Sequence, residues 1–117
     1  LNFDELLRQL QAEYLASIPE KVAQIKQLIS QGDAGNLREA FHKLKGTGKT
    51  YGMPEVSELC AVVEMICIKT PQHAIQASQT GVEMLHEIHL ARTQKNTFAL
   101  SEDARLHALR KLLPASA

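Results

Sequence analysis

An imidazole, three ammonium groups and a bare glycine are gathered into one short stretch: Phe41-His42-Lys43-Leu44-Lys45-Gly46, followed by Thr47-Gly48-Lys49-Thr50-Tyr51-Gly52. Leu37, Phe41, Leu44, Gly48 and Tyr51 recur at intervals of four and three, the period of a helix that buries one stripe. At ~100° per residue, His42 points well away from that stripe, toward solvent. Lys45 and Gly46, three and four positions on, share its surface. A solitary helical histidine defaults to an ordinary surface role. Here the flanking cations and the missing side chain at Gly46 make the ring reachable by something anionic.

The elements that must position these groups read as helices joined by short links. Phe3, Leu6, Leu7, Leu10 and Tyr14 mark a first amphipathic helix. Ile18, Val22, Ile25, Leu28 and Ile29 mark a second stretch, with a break or kink expected near Ser17–Pro19. Gln31-Gly32-Asp33 ends it, and Asp33 or Asn36 can cap the helix that follows. The spacing predicts the His42 helix from about Asn36 to Tyr51, ending at Gly52. Pro54 fits the first turn of the next helix, with Glu55 and Glu58 toward its positive end. So short a link makes the two helices antiparallel neighbours, which returns Glu64 toward the level of His42. Thr70-Pro71 restarts the chain into a helix over about 72–92, with Ile75, Val82, Leu85 and Ile88 inward. Beyond Lys95-Asn96, Ser101 can cap a helix carrying Leu106, Leu109, Leu112 and Leu113 before Pro114. A helix of ~12 residues is marginal alone in water, so it is expected to dock on the other helices or on a neighbour.

Composition narrows the function. The length of 117 residues suits one domain with a modest core, and the apolar content of 44% is ordinary for a globule. Lysine plus arginine and aspartate plus glutamate both number 13, so no bulk charge points to nucleic acid or an anionic membrane. No apolar run approaches the ~18 residues of a membrane span, and no signal-peptide pattern opens the chain. The chain begins at Leu1 rather than Met, as an excised segment would. Cys60 and Cys67, seven apart on one helix side with Val56, Leu59, Val63 and Ile66, are too distant to bond each other. As reduced core thiols they fit a cytoplasmic location.

The run His42-x-Leu44-Lys45-Gly46, with Gly52 ten residues after the histidine and then Val56, Leu59-Cys60 and Glu64, resembles the histidine-containing phosphotransfer (HPt) domain family. The resemblance is continuous from Phe41 to Glu64; Thr47 and Gly48 stand where the family more often has a small Ser/Ala pair. It implies an all-α, up-down four-helix bundle over residues 1–95, and residues 96–117 would be a C-terminal extension with one additional short helix. By the same resemblance His42 is the phosphoacceptor, exchanging a phosphoryl group on Nε2 with the aspartate of a response-regulator receiver domain. Lys45 and Gly46 match the family's lysine and glycine, and Glu64 falls where a Gln or Glu bonds the other imidazole nitrogen. Lys43 and Lys49 would support the field around the phosphate. Such a carrier needs no cofactor or metal of its own, since the divalent cation belongs to the receiver. Its partners are a receiver domain and a histidine kinase, with no nucleic acid and no membrane.

Other chemistries compete for the same residues. Gly46-Thr47-Gly48-Lys49-Thr50 ends like a phosphate-binding P-loop, but Lys43 occupies the position of the first glycine and a helix precedes it where a strand is required. Glu39-x-x-His42 and Glu83-x-x-His86 have the spacing of four-helix di-iron ligands, yet Glu39 and His42 lie opposite the apolar stripe. His73, His89 and His107 have no evident partner in sequence. Two further readings remain within reach of the sequence: a phosphotransfer domain of a chemotaxis-type or hybrid kinase, phosphorylated by its own kinase domain, and a helical interaction module never phosphorylated.

Overall fold

The computed structural model describes residues 2–115 and is all-α. Five helices follow in order: α1 (Phe3–Ser30), α2 (Ala34–Gly48), α3 (Pro54–Lys69), α4 (Ala74–Thr93) and α5 (Ala104–Lys111). Short 3₁₀ turns at Pro71–His73 and Leu100–Glu102 introduce α4 and α5. The first four run up and down as a bundle, in which α2 lies closest to α3, and α4 packs on both α1 and α3. Leu37, Phe41, Val56, Leu59, Val63, Ile66, Leu85 and Ile88 are wholly buried between them.

The break expected near Pro19 is absent: α1 is one helix of 28 residues. Proline removes a single N–H, and Pro19 lies on the exposed side. Tyr14, Ile18, Val22 and Ile25 stay in one buried row across it. That burial outweighs one lost ladder bond. The first turns of α1 carry the right apolar period but little cover. Phe3 is 74% exposed, and Leu6 and Leu10 are exposed as well. The turn between α2 and α3 meets α1 at Gln11, whose side chain lies against Gly52.

Asp33 caps α2, accepting the N–H of Asn36 at 3.1 Å. Helix α2 ends at Gly48, one turn before the expected end, and one further i→i−4 bond, from Tyr51 N–H to Thr47 C=O at 3.1 Å, follows it. A Schellman pair closes that last turn, with Met53 N–H on Gly48 C=O at 2.8 Å and Gly52 N–H on Lys49 C=O at 3.3 Å. Gly52 takes the left-handed φ of 79° that this cap requires. Pro54 opens α3 as expected. Both thiols are free and buried, and burial raises their pKa values. In α4, Val82, Leu85 and Ile88 are buried but Ile75 only partly, because small residues line the closest approach. A Cβ at Gly81 would come within 3.1 Å of Val63 and 3.3 Å of Phe41.

The cap of α5 is Asp103 rather than Ser101, which sits in the preceding 3₁₀ turn. Asp103 accepts the Arg105 N–H at 2.8 Å and also bonds the Arg105 guanidinium, so one carboxylate both caps the helix and pairs with a cation. The helix is eight residues long. Leu106 and Leu109 are buried, with Leu112 and Leu113 partly so. Arg105 bonds Glu87, and Arg110 bonds Glu58, clamping α5 to α4 and α3.

Candidate functional site

The short turn between α2 and α3 sets the two helices antiparallel and adjacent. Across their seam lie the site's side chains. His42 projects outward from α2 with its side chain 58% exposed. Glu64 projects from α3 into the seam, and its side chain is only 7% exposed. Glu64 Oε2 lies 2.5 Å from His42 Nδ1, and Glu64 Oε1 accepts a bond from Lys45 Nζ at 2.7 Å. Both carboxylate oxygens of a buried acid are thereby satisfied, one by the imidazole and one by an ammonium.

The arrangement fixes the imidazole chemically as well as sterically. Burial pushes the Glu64 carboxyl up, but the bonds from Lys45 and His42 outweigh it and hold the group below the ordinary glutamate range. An ionised carboxylate at Nδ1 keeps a proton on that nitrogen. Nε2 then carries the lone pair and faces solvent. Nothing in the chain stands over it on the Gly46 side: a Cβ built at Gly46 has no heavy atom within 4 Å. No internal contact therefore demands glycine there, although glycine costs ~1 kcal/mol against alanine inside a helix.

Gly48, two residues on, is glycine for a different reason. A Cβ there would lie 2.9 Å from the Ser57 backbone nitrogen, the Ser57 hydroxyl and Val56 Cβ. It permits the close approach of α2 to α3. Thr47 is tied inward, its hydroxyl 2.9 Å from the Tyr14 hydroxyl and 2.9 Å from the Lys43 carbonyl. Tyr14 in turn stacks on Tyr51, and Lys21 Nζ sits 4.1 Å above the Tyr14 ring.

Lys43 and Lys49 are exposed and form no ion pair among the described residues. Between Ala34 and Thr50 the chain carries Arg38, Lys43, Lys45 and Lys49 against the single acid Glu39, although the whole chain is neutral. Positive charge is concentrated on the His42 helix.

The competing chemistries find no matching geometry. Gly46–Gly48 belong to a helix, and no strand precedes them among the described residues. Glu39 and His86 are exposed, and Glu83 bonds Arg105. Among the described residues no group of three or more His, Cys, Asp or Glu side chains is placed to hold a metal ion. His107 Nε2 bonds the Ser101 carbonyl at 3.1 Å, closing the turn before α5. No helix among the described residues is long and apolar enough to cross a membrane.

Sequence reasoning missed Ser57. It is a lone serine in the first turns of α3, and no motif marks it. The one available signal was Gly48, a second glycine inside a strongly periodic helix, which announces a close neighbour.

A family model described as the Hpt domain matches residues 9–113. No curated protein and no solved structure matched the chain. The family match takes in all of the four-helix bundle but the first residues of α1, together with α5, and includes the His42–Glu64 seam. The chain belongs to the Hpt domain family, whose members are helical phosphocarrier modules of histidine phosphorelays.

Proposed function

We propose that this chain relays a phosphoryl group through His42, taking it from and returning it to the aspartate of a response-regulator receiver domain. The observation that carries the reading is the carboxylate of Glu64 at His42 Nδ1, which leaves Nε2 as the exposed nucleophile. In the forward step the Nε2 lone pair attacks the phosphorus of an aspartyl phosphate. An N–P bond forms as the P–O bond to the aspartyl carboxylate breaks, and that carboxylate leaves with the electron pair. The proton on Nδ1 stays in place, and Glu64 balances the positive charge the ring acquires. Return transfer reverses each bond change. Lys45, beside the ring and bonded to Glu64, holds that acid ionised and adds positive potential for the incoming phosphate. Lys43 and Lys49 contribute to the same potential. Gly46 leaves room for a receiver loop to press against the ring.

On this reading the chain is a carrier rather than an enzyme with its own nucleotide site. Its partners are a receiver domain and a histidine kinase, and it acts in the cytoplasm. Incubation with a receiver phosphorylated by a small-molecule donor is expected to place acid-labile, base-stable label on His42. Label on a different histidine, or none at all, would remove His42 from the role and favour a helical interaction module.

We further propose that residues 1–95 carry the transfer function and residues 96–117 an appended stabilising segment. The basis is the burial of Leu106 and Leu109 at a distance in sequence from His42. A chain ending at Asn96 is expected to accept phosphate but to melt at lower temperature, since each buried leucine contributes ~2 kcal/mol. Retained stability with lost transfer would place α5 in the docking surface instead.

A further inference from the structure

The hydroxyl of Ser57 does something unusual for a helix-surface serine. It donates to the Lys45 carbonyl at 2.7 Å and accepts the Lys49 N–H at 2.6 Å. Those two backbone groups, four residues apart at the C-terminal end of α2, are the pair that would bond each other in an uninterrupted helix. A side chain from α3 has thus inserted into the ladder of α2. Helix α2 ends at Gly48, at this point. Gly48 admits the insertion, because a Cβ there would lie 2.9 Å from the Ser57 nitrogen and hydroxyl.

Lys45 is consequently held at both ends. Its carbonyl is bonded to Ser57 and its ammonium to Glu64. Ser57 and Glu64 lie seven residues, two turns, apart on the same face of α3. Ser57, Lys45, Glu64 and His42 form one chain of hydrogen bonds along the seam, ending at His42 Nδ1.

We propose that Ser57 is a positioning residue for phosphoryl acceptance. It locks the register of α2 against α3, so that Lys45 and His42 both meet the single buried carboxylate. This inference rests on the reading of His42 as the acceptor, and the test separates the two. It compares the wild-type chain with Ser57→Ala, the near-isosteric Ser57→Cys, the hydroxyl-retaining Ser57→Thr, and Gly48→Ala, which blocks the insertion from the other side. Two quantities are read: the tautomer of His42 from its ring ¹⁵N shifts at mildly alkaline pH, and the rate of phosphorylation by phosphoramidate.

Ser57→Ala, Ser57→Cys and Gly48→Ala are each expected to convert a ring protonated at Nδ1 into a mixture of tautomers. Each should also slow acceptance roughly tenfold, the scale of one lost hydrogen bond in the barrier. Ser57→Thr is expected to keep both near wild type. Because Ser57→Cys preserves packing volume, it reports even if the alanine variant does not fold. If the Ala, Cys and Gly48 variants melt earlier but keep the wild-type ring shifts and rate, Ser57 is only a packing residue and the proposal fails. If no protein, wild type included, takes phosphate, the carrier reading fails, while the ring shifts still decide the part played by Ser57.

Discussion

Helix α2 has two unlike sides. Toward α3 it forms a polar seam in which Ser57, Lys45, Glu64 and His42 are bonded in series at 2.5–2.7 Å. Toward α1 it is held by the Tyr14–Thr47 hydroxyl bond and otherwise leaves a groove of about 510 Å³, lined by Lys21, Gln24, Ile25, Leu28, Lys43 and Leu44 among others. The seam is where side chains have one geometry open to them, since its polar groups are paired around the one buried carboxylate of Glu64. The groove imposes no such geometry. On the proposed function the seam aims the His42 ring, and the exposure of that side chain, which does not line the groove, lets a partner reach it.

The contrast can be broken most sharply at His42 itself. His42→Gln is expected to abolish phosphate acceptance while leaving the melting temperature within the ~0.5 kcal/mol of an ordinary surface change. A variant that still takes label at the normal rate would move the acceptor elsewhere. Next in size are the two glycines. Gly48→Ala forces a methyl against Ser57 and Val56 and should cost ~1–3 kcal/mol in urea denaturation. Gly46→Ala, facing open space, should instead gain up to ~1 kcal/mol. The same substitution two residues apart would thus have opposite signs, and equal effects would contradict the seam described here. Gly46→Gln should keep the stability and block receiver transfer.

Smaller effects test the carboxylate. Glu64→Ala is expected to slow acceptance and release the His42 tautomer, visible in ring ¹⁵N shifts. Lys45→Ala should slow transfer by an amount equivalent to ~1–3 kcal/mol, the range of a charged hydrogen bond. Because the folded Glu64 carboxyl lies below its ordinary value of 4.5, it binds its proton less readily in the folded chain than in the unfolded one. Its stabilising contribution is therefore complete above that ordinary value and is lost as pH falls through the folded value. Acid melts of wild type should steepen below about pH 4.5 relative to Glu64→Gln, which has no such proton to bind. The smallest effect belongs to the groove. Lys21→Ala removes a cation from the Tyr14 ring and should cost ~0.5–1 kcal/mol without touching transfer. If it disturbs the His42 ring as much as Glu64→Ala does, the two sides of α2 are not independent.

Much of this arrangement was legible in the sequence because it follows from periodicity and one short link. The stripe Leu37–Phe41–Leu44–Gly48 is buried. The four residues between Gly48 and Met53 leave no topology but antiparallel neighbours, which carries Glu64 to His42. Features set by tertiary competition were not legible. Proline reads as a helix breaker until a buried row on the far side is seen to continue past it. Asp103 outcompetes Ser101 as a cap because Arg105 adds an ion pair to the same carboxylate. The Phe3–Leu10 stripe has the period of a buried face, yet Phe3, Leu6 and Leu10 are exposed. Ser57 was invisible because its partners are backbone groups, which every sequence possesses equally.

The crowding of Arg38, Lys43, Lys45 and Lys49 onto one helix has a kinetic consequence that the overall neutrality of the chain conceals. A partner approaching from solvent feels the local field within a screening length of about 8 Å at physiological ionic strength, not the sum over the molecule. On the proposed function, encounter with a partner whose docking surface is acidic should thus be accelerated at low salt and lose that acceleration as salt is added, by shortening the reach of the field. Once the two surfaces touch, the paired and buried Glu64 is shielded from the same ions, so salt would set how often the partners meet and leave the transfer step itself unchanged.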